Sequence, residues 1–514
     1  VSAEATPLDR LVLGADAVVP VVAALASGGA GGRLALARPA WPYLLAALAR
    51  GTGRPLLAVA PGDDEARDLA AELTALIGRG AVALWPTRGV PAGGAVGPSP
   101  HLVGQRARAL GTLGREGSVV VAGAAAAAER VPAERGEPLE IRAGDEVSLD
   151  ALVDRLAAMG YERVGQVEER GDMSVRGGIL DVYPSTADLP ARIELFGDEV
   201  EGMRAFSPFT QRTIRPIGRL LAWPAAEPEG AVFADPLEDP GPRGAAVVRL
   251  APAEHAGALR DALERLEDEA AAGDLAPPDV VTAALERLSA LDVAAPSGTS
   301  TPAFDAVEAR FATRSAAEAE AELARLTRSG MRVLVTFARR GDLSRAAVRM
   351  ERLRPAEVEP GALPAPGSLG LTALPVRGGF VSRELGLAVV PEERVLRRRR
   401  PAAERGPVVG RRLASFLDLK VGDHVVHEDH GIGRLTGFET RTVAGLTRDY
   451  LALAFADGDR LYVPHDQLDR VTRYVGADGS APALSKLGGR AWDRMKSRAR
   501  AAVREMAGEL IALY

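Results

Sequence analysis

RLALARPAWPYLLAALARG, residues 33–51, sets the fold class. RLALARP reads as a short buried strand and AWPYLLAALARG as the helix after it. The alternation continues with PLLAVAP (strand), DDEARDLAAELTALIG (helix), AVALWP (strand), HLVGQRARALGTLG (helix) and SVVVAG (strand). Short apolar runs alternating with helical periods imply a parallel sheet covered on both faces. Such sheets often bind nucleotides at the turn after the first strand, where backbone N–H groups converge on phosphates. Here that turn is LARPAWP, with two prolines, no glycine and no lysine. No G-x-x-x-x-G-K-[ST] occurs anywhere, and the first lysine is Lys420. A phosphate cradle needs both the glycines and the lysine. A nucleotide-dependent ATPase using residues 30–130 therefore stands only as a rival reading.

Composition narrows the rest. The 514 residues are 47% hydrophobic, enough for several cores; at roughly 100–200 residues per domain, three to five domains are expected. The net charge of −6 is mild, so any nucleic-acid contact is local. Without cysteine there is no disulfide, thiolate zinc site or cysteine nucleophile. No run of about 18 uncharged apolar residues occurs, so no membrane-spanning helix is expected. The N-terminus, VSAEATPLDR, lacks a basic stretch followed by an apolar one. A cytoplasmic protein with no membrane partner is expected.

Residues 148–206 follow a different pattern. SLDALVDRLAAMG is a short amphipathic helix, and YERVGQV, MSVRGGILDVYP and ARIELFGDEVEGMRAF read as antiparallel strands. Proline, glycine and acid thicken over 223–243, and helical patterns occupy 253–290. A second α/β unit begins near 301, with SAAEAEAELARLTRSG and GDLSRAAVRMERL as helices and MRVLVTF, LGLTAL and LGLAVV as strands. It ends in an arginine run, Arg397–Arg400, which reads as a solvated linker or a weak phosphate grip. HVVHE, GRLTGFET, DYLALAF and DRLYVP are strands of an all-β stretch, with Leu451, Leu453 and Phe455 on one face, as Leu461 and Val463 are in the next strand, and Asp457-Gly458 signals a hairpin. Short, tightly turned strands fit a small SH3- or Tudor-like barrel. Residues 490–514 have apolar side chains at three- and four-residue steps, the period of a helix. This helix ends without a C-terminal signal, which suggests a chain cut mid-protein.

Two stretches carry candidate chemistry. In ARIELFGD, alternation puts Ile193 and Leu195 on one face and Arg192, Glu194 and Phe196 on the other. Phe196 is then exposed beside charged residues, or Arg192 and Glu194 pair at the surface with Phe196 packed beneath. Around Gly177-Gly178 the alternation predicts a switch of the apolar face, as a bulge re-aiming Arg176 would produce. The second stretch is GDHVVHEDHGIGRL, residues 422–435, with His424, His427 and His430 at three-residue steps. On a strand His424 and His427 point to opposite faces and cannot converge on a metal. A structural turn is the expected role, and no metal is assigned.

Residues 170–213, RGDMSVRGGILDVYPSTADLPARIELFGDEVEGMRAFSPFTQRT, resemble the UvrA-binding domain shared by the excision-repair protein UvrB and the transcription-repair coupling factor (Mfd) family. Residues 419–468 resemble the RNA-polymerase-interacting domain of that family, whose barrel the CarD family shares. The C-terminal segment resembles its hook helix, with Arg494, Lys496, Arg498 and Arg500 exposed. UvrB has no such barrel, so the pair points to the coupling factors. The two motifs cover roughly a third of the chain; the α/β portions match by order and spacing only.

The resemblance implies the non-motor, N-terminal portion of a coupling factor. The implied fold is multidomain α/β: a degenerate P-loop-type parallel module with an inserted α+β UvrA-binding domain, a small α/β domain, an SH3/Tudor-like barrel and a C-terminal helix. The implied boundaries are 1–130, 131–222, 223–300, 301–402, 403–478 and 479–514. Arg176, Arg192 and Phe196 are the implied UvrA-contacting residues. Phe438, Glu439, Thr440, Arg441 and Thr442 are the implied polymerase contacts, toward the β subunit, by edge pairing of a strand; Arg441 departs from the apolar residue expected there. No catalytic, cofactor or metal residue is expected. ATP and Mg belong to a motor this chain lacks, and DNA contact is expected mainly through that motor. A monomer is expected. The second rival reading is a CarD-like transcription regulator without a repair role, which leaves residues 170–213 unexplained.

Overall fold

Burial on both faces of the first sheet follows from strands that are apolar end to end. Its order is Gly32–Ala35, Ser289–Ala294, Ala246–Leu250, Leu56–Ala60, Val119–Gly123, Val82–Trp85, with every neighbouring pair parallel. Leu56–Ala60, Val119–Gly123 and Ala246–Leu250 are buried throughout. The computed structural model describes residues 4–88, 98–132, 136–208, 211–227, 233–234, 244–267, 277–296, 301–309, 316–395, 422–427, 431–443, 446–464, 471–473 and 484–486. The chain divides into two compact units. One comprises 1–139, 158–161 and 222–400; the other comprises 140–157, 162–221 and 401–514.

In the first unit, the helical pattern read over 253–290 becomes two helices, Pro252–Glu267 and Pro278–Leu288. The segments flanking them are strands that complete the sheet some 120 residues after its first four. Each carries a charge that hides its strand character. Arg249 and Asp292 lie opposite one another in register, and Arg249 donates to both Asp292 oxygens at 2.7 and 2.6 Å. A buried charge is tolerated when it is paired and hydrogen-bonded in this way.

The helix Trp41–Thr52 buries its first nine residues and ends at Gly53, whose φ of +67° is the left-handed cap glycine favours. A second sheet in this unit runs Val307–Glu308, Phe380–Ser382, Leu387–Pro391, Arg332–Phe337, Leu369–Ala373, Ala356–Glu357. Its central pairs are parallel and its first two are antiparallel. The hydrophobic core is continuous across both sheets, with Leu34, Tyr43 and Leu45 in one cluster with Leu374, Val376 and Phe380. The Tyr43 and Phe380 rings meet edge to face at 5.2 Å, and the Tyr43 hydroxyl donates to the Gly378 carbonyl at 2.9 Å. A Cβ on Gly378 would stand 2.5 Å from the Pro39 carbonyl oxygen, so only glycine allows this approach. At the same seam Glu72 accepts from the Gly378 N–H at 3.3 Å, and burial raises its pKa to about 7.

In the second unit, an antiparallel sheet has the order Thr213–Pro216, Glu199–Phe206, Ala191–Phe196, Ile179–Val182, Asp172–Arg176, with Glu162–Arg163 added in parallel at its edge. MSVRGGILDVYP is one hairpin and ARIELFGDEVEGMRAF another. The expected bulge at Gly177-Gly178 is therefore corrected: these glycines are the two-residue turn joining Arg176 to Ile179. Gly177 takes φ +60°, and a Cβ on Gly178 would come within 2.8 Å of the Leu195 carbonyl oxygen. The apolar face does not switch, because the turn pairs Met173 with Val182 and Val175 with Leu180.

Residues 422–473 of this unit include a five-stranded antiparallel sheet, Arg460–Pro464, Leu446–Ala454, Gly431–Val443, His424–His427, Val471–Arg473. Leu451, Leu453, Phe455 and Val463 are buried on the face the alternation assigns them, with Val425, Leu435 and Val471. The hook segment and Arg397–Arg400 lie outside the described residues.

Candidate functional site

The turn after the first strand is occupied by groups of the chain itself. Arg38–Ala40 is a single 3-10 turn, and Pro39 has no N–H to offer a phosphate. Arg38 places its guanidinium 5.3 Å from the Trp41 ring centroid and pairs with Glu254 in the first turn of the helix after the Ala246–Leu250 strand. A second carboxylate, Glu65, lies 3.9 Å from Arg38. Cation and anions of the chain itself thus occupy this edge. Neither the backbone nor the side chains present a phosphate cradle.

The hairpin sheet offers a built surface. Register places Arg176, Ile179 and Glu194 in one cross-strand row, with Ser174, Asp181, Arg192 and Arg204 in the row beside it. Arg192 is the keystone of the second row. Its Nε and one terminal nitrogen donate to the two Asp181 oxygens at 2.7 and 2.8 Å, and its guanidinium sits 4.9 Å from the Phe206 ring centroid. The hydrogen bond to Asp181 raises the pKa of Arg192 further. The Arg192 side chain keeps 23% of its exposure and Asp181 only 4%.

The surface pair open in the sequence reading, Arg192 with Glu194, does not form. Glu194 pairs instead with Arg204 of the next strand. Phe196 is not packed beneath the hairpin but stands 81% exposed at its tip, beside Gly197 at φ +63°. Arg176 is exposed and donates to the Gly165 carbonyl at 2.6 Å. By strand geometry the three positions span about 10 Å across the sheet and about 13 Å along it. Sequence reasoning missed Asp181. Its signal was present: an aspartate inside the otherwise apolar ILDV, on the same face as Ser174.

The second surface is an arm. Gly431–Val443 pairs with Leu446–Ala454 from Arg434↔Ala454 out to Val443↔Leu446, with a register shift between Leu435 and Gly437. His424–His427 covers only Gly431–Arg434, and Arg460–Pro464 reaches no further than Tyr450. Among the described residues, the strand from Gly437 to Val443 therefore pairs on one edge only. Its other edge carries a row of backbone donors and acceptors, the template for adding a strand. Phe438, Glu439, Thr440, Arg441 and Thr442 all lie on it. Arg441 and Thr442, which lie beyond the strand GRLTGFET read from the sequence, are strand as well. Apart from half-buried Glu439, the side chains of these five lie outside the described residues. His427 is buried on the core face with Val425, and His424 faces the other way. His430 lies outside the described residues.

The family comparison coincides with both surfaces. A UvrB interaction domain is matched at residues 139–227 and a CarD-like/TRCF RID domain at 419–475. The chain is thus a multidomain α/β protein that carries both domains. Transcription-repair-coupling factors align with it along most of its length. That of Mycobacterium bovis is 33% identical over 95% of this chain and 48% of its own length. Those of Bacillus subtilis and Staphylococcus aureus are 28% and 26% identical over 91% and 81% of this chain, and 47% and 43% of theirs. The chain is similar to transcription-repair-coupling factors along nearly its whole length and spans about half the length of these relatives.

Proposed function

We propose that this chain is a docking segment for transcription-coupled nucleotide excision repair. It captures UvrA through Arg176, Arg192 and Phe196, and binds RNA polymerase, at the β subunit, through the edge of the 437–443 arm. One observation carries the reading: a UvrB interaction domain and a CarD-like/TRCF RID domain occur in one chain. Within it the 422–473 sheet closes as an SH3/Tudor-like barrel, and the parallel module is a degenerate relative of P-loop modules. The segment hydrolyses no nucleotide; ATP-driven displacement of polymerase belongs to the motor of the whole family member. It works as a cytoplasmic monomer. The decisive experiment is a pull-down by the 514-residue chain from a mixture of purified UvrA and polymerase. Capture of both is expected. Capture of polymerase alone would favour a CarD-like regulator, and ATP turnover by the chain would contradict the docking role.

A further inference from the structure

The helix Arg340–Arg349 and the short turn Glu351–Leu353 after it play no part in either docking surface. In a chain of net charge −6, residues 339–354 hold six arginines (339, 340, 345, 349, 352, 354) against Asp342 and Glu351, a local excess of four positive charges. Packing fixes which way they point. Asp342, Leu343, Ala346 and Met350 are buried against the second sheet's core, so the opposite arc faces solvent. At 100° per residue that arc holds Arg340, Ser344, Val348, Arg345 and Arg349, with Arg352 continuing it. Arg345 is neutralised by Asp342. Among the described residues, Arg339, Arg340, Arg349, Arg352 and Arg354 have no carboxylate within ion-pair distance.

Two further features single out this arc. Val348, at its centre, is 77% exposed. Arg354 holds φ 49° and ψ 54°, a left-handed backbone that glycine adopts freely and a side chain adopts only at a cost, and Pro355 follows it. A backbone outlier placed among unneutralised charges is the kind of strain that accompanies function.

We propose that this face, Arg340, Arg349 and Arg352 with Arg339 and Arg354 at its ends, docks on the phosphate backbone of duplex DNA. Arg340 and Arg349 stand about 13 Å apart along the helix and half a turn apart around it, at the two borders of the exposed arc, against a polymer carrying one charge per about 1.7 Å of axis. A polyanion of that charge density, lying over Ser344 and Val348, offers phosphates to the long side chains on both borders, and the contact carries no base specificity. Ser344 and Val348 between the arginines let the helix approach closely. This inference is independent of the UvrA and polymerase assignments.

The test is fluorescence anisotropy of the 514-residue chain with a short labelled DNA duplex, between about 50 and about 200 mM NaCl. The comparison is with Arg340→Ala/Arg349→Ala/Arg352→Ala, three exposed positions whose loss removes no ion pair. A control variant, Arg115→Ala/Arg155→Ala/Arg287→Ala, makes the same change in net charge at exposed sites elsewhere. The expected result is a loss of at least about ten-fold for the first variant, with its slope of log K against log salt shallower by about 2 to 3. The control is expected to bind as the native chain does. No DNA binding by the native chain, equal binding by the first variant, or equal losses in both variants would overturn the proposal. So would polyglutamate binding as tightly as the duplex, which would point to an acidic protein partner instead.

Discussion

The two hairpins proposed to carry the docking surfaces present opposite kinds of surface. In Ala191–Phe206 the backbone is paired on both sides, by the Ile179–Val182 strand and by Thr213–Pro216, so it has little main chain left to offer. Its information lies in side chains, and those side chains are braced: Arg192 by Asp181 and Phe206, Glu194 by Arg204. In Gly437–Val443 the reverse holds. Among the described residues one edge of this strand is unpaired, so under the proposed reading the backbone would be the recognition element. Mutation should therefore act differently on the two. The first surface should fail when a side chain is removed, and the second when an N–H is removed.

The largest effect tests the bracing. Arg192→Ala leaves Asp181 as an almost fully buried carboxylate without its partner, and breaking such a pair costs about 3 kcal/mol. Chemical denaturation should show the 140–221 sheet destabilised by that order, and UvrA capture should fail with it. The double replacement Arg192→Met/Asp181→Leu should recover most of the stability without restoring capture. If capture returns with stability, Arg192 only braces the sheet.

Phe196 should give the next largest effect, and a cleaner one. Its ring is 81% exposed and stabilises nothing beneath it, so Phe196→Ala should leave the denaturation midpoint unchanged. An aromatic anchor lost from an interface centre costs about 2 kcal/mol, or roughly thirty-fold in affinity for UvrA. Calorimetric titration with UvrA measures it. Arg176→Ala is expected to add to this loss, since among the described residues Arg176 is held only by the Gly165 carbonyl.

On the arm, proline replaces alanine as the informative substitution. Alternate residues of an edge strand point their N–H outward, so Thr440→Pro and Arg441→Pro between them remove one outward donor. One of the two should weaken polymerase binding by about ten-fold or more, while Thr440→Ala and Arg441→Ala stay within about three-fold. Surface plasmon resonance against the polymerase β subunit distinguishes these outcomes. Equal sensitivity to alanine and proline would mean that the arm is read by its side chains after all.

Much of this was legible in the sequence where one period rules. Alternation assigned Leu451, Leu453, Phe455 and Val463 to one buried face and left Phe196 free to be exposed. Repeated strand–helix runs gave the parallel sheet. What could not be read is what depends on pairing at a distance. Gly177-Gly178 looks alike as a bulge and as a turn until the partner of Arg176 is known to be Ile179. Ala246–Leu250 and Ser289–Ala294 break the apolar pattern with Arg249 and Asp292, which make sense only together. Asp181 does not stand out in the sequence because its partner lies eleven residues on.

The smallest expected effect on either docking reaction is that of pH on the seam around Glu72, and it separates stability from recognition. Buried against Gly378, the Glu72 carboxyl titrates near 7 in the folded chain, above the ordinary value of 4.5. Arg377, Asp68 and the Tyr43 hydroxyl face it, but burial outweighs their charges. Between those two values the folded chain holds a proton that the unfolded chain has released. Stability of the 1–139/222–400 unit should therefore fall as pH rises from 4.5 to 7, by up to about 3 kcal/mol, and level off above 7. Glu72→Gln should flatten that dependence and raise the urea midpoint at pH 8. Glu72 belongs to neither hairpin, so UvrA and polymerase affinities of the variant at pH 8 should equal those of the native chain. A loss of either affinity in Glu72→Gln would show that the seam and the docking surfaces are energetically coupled.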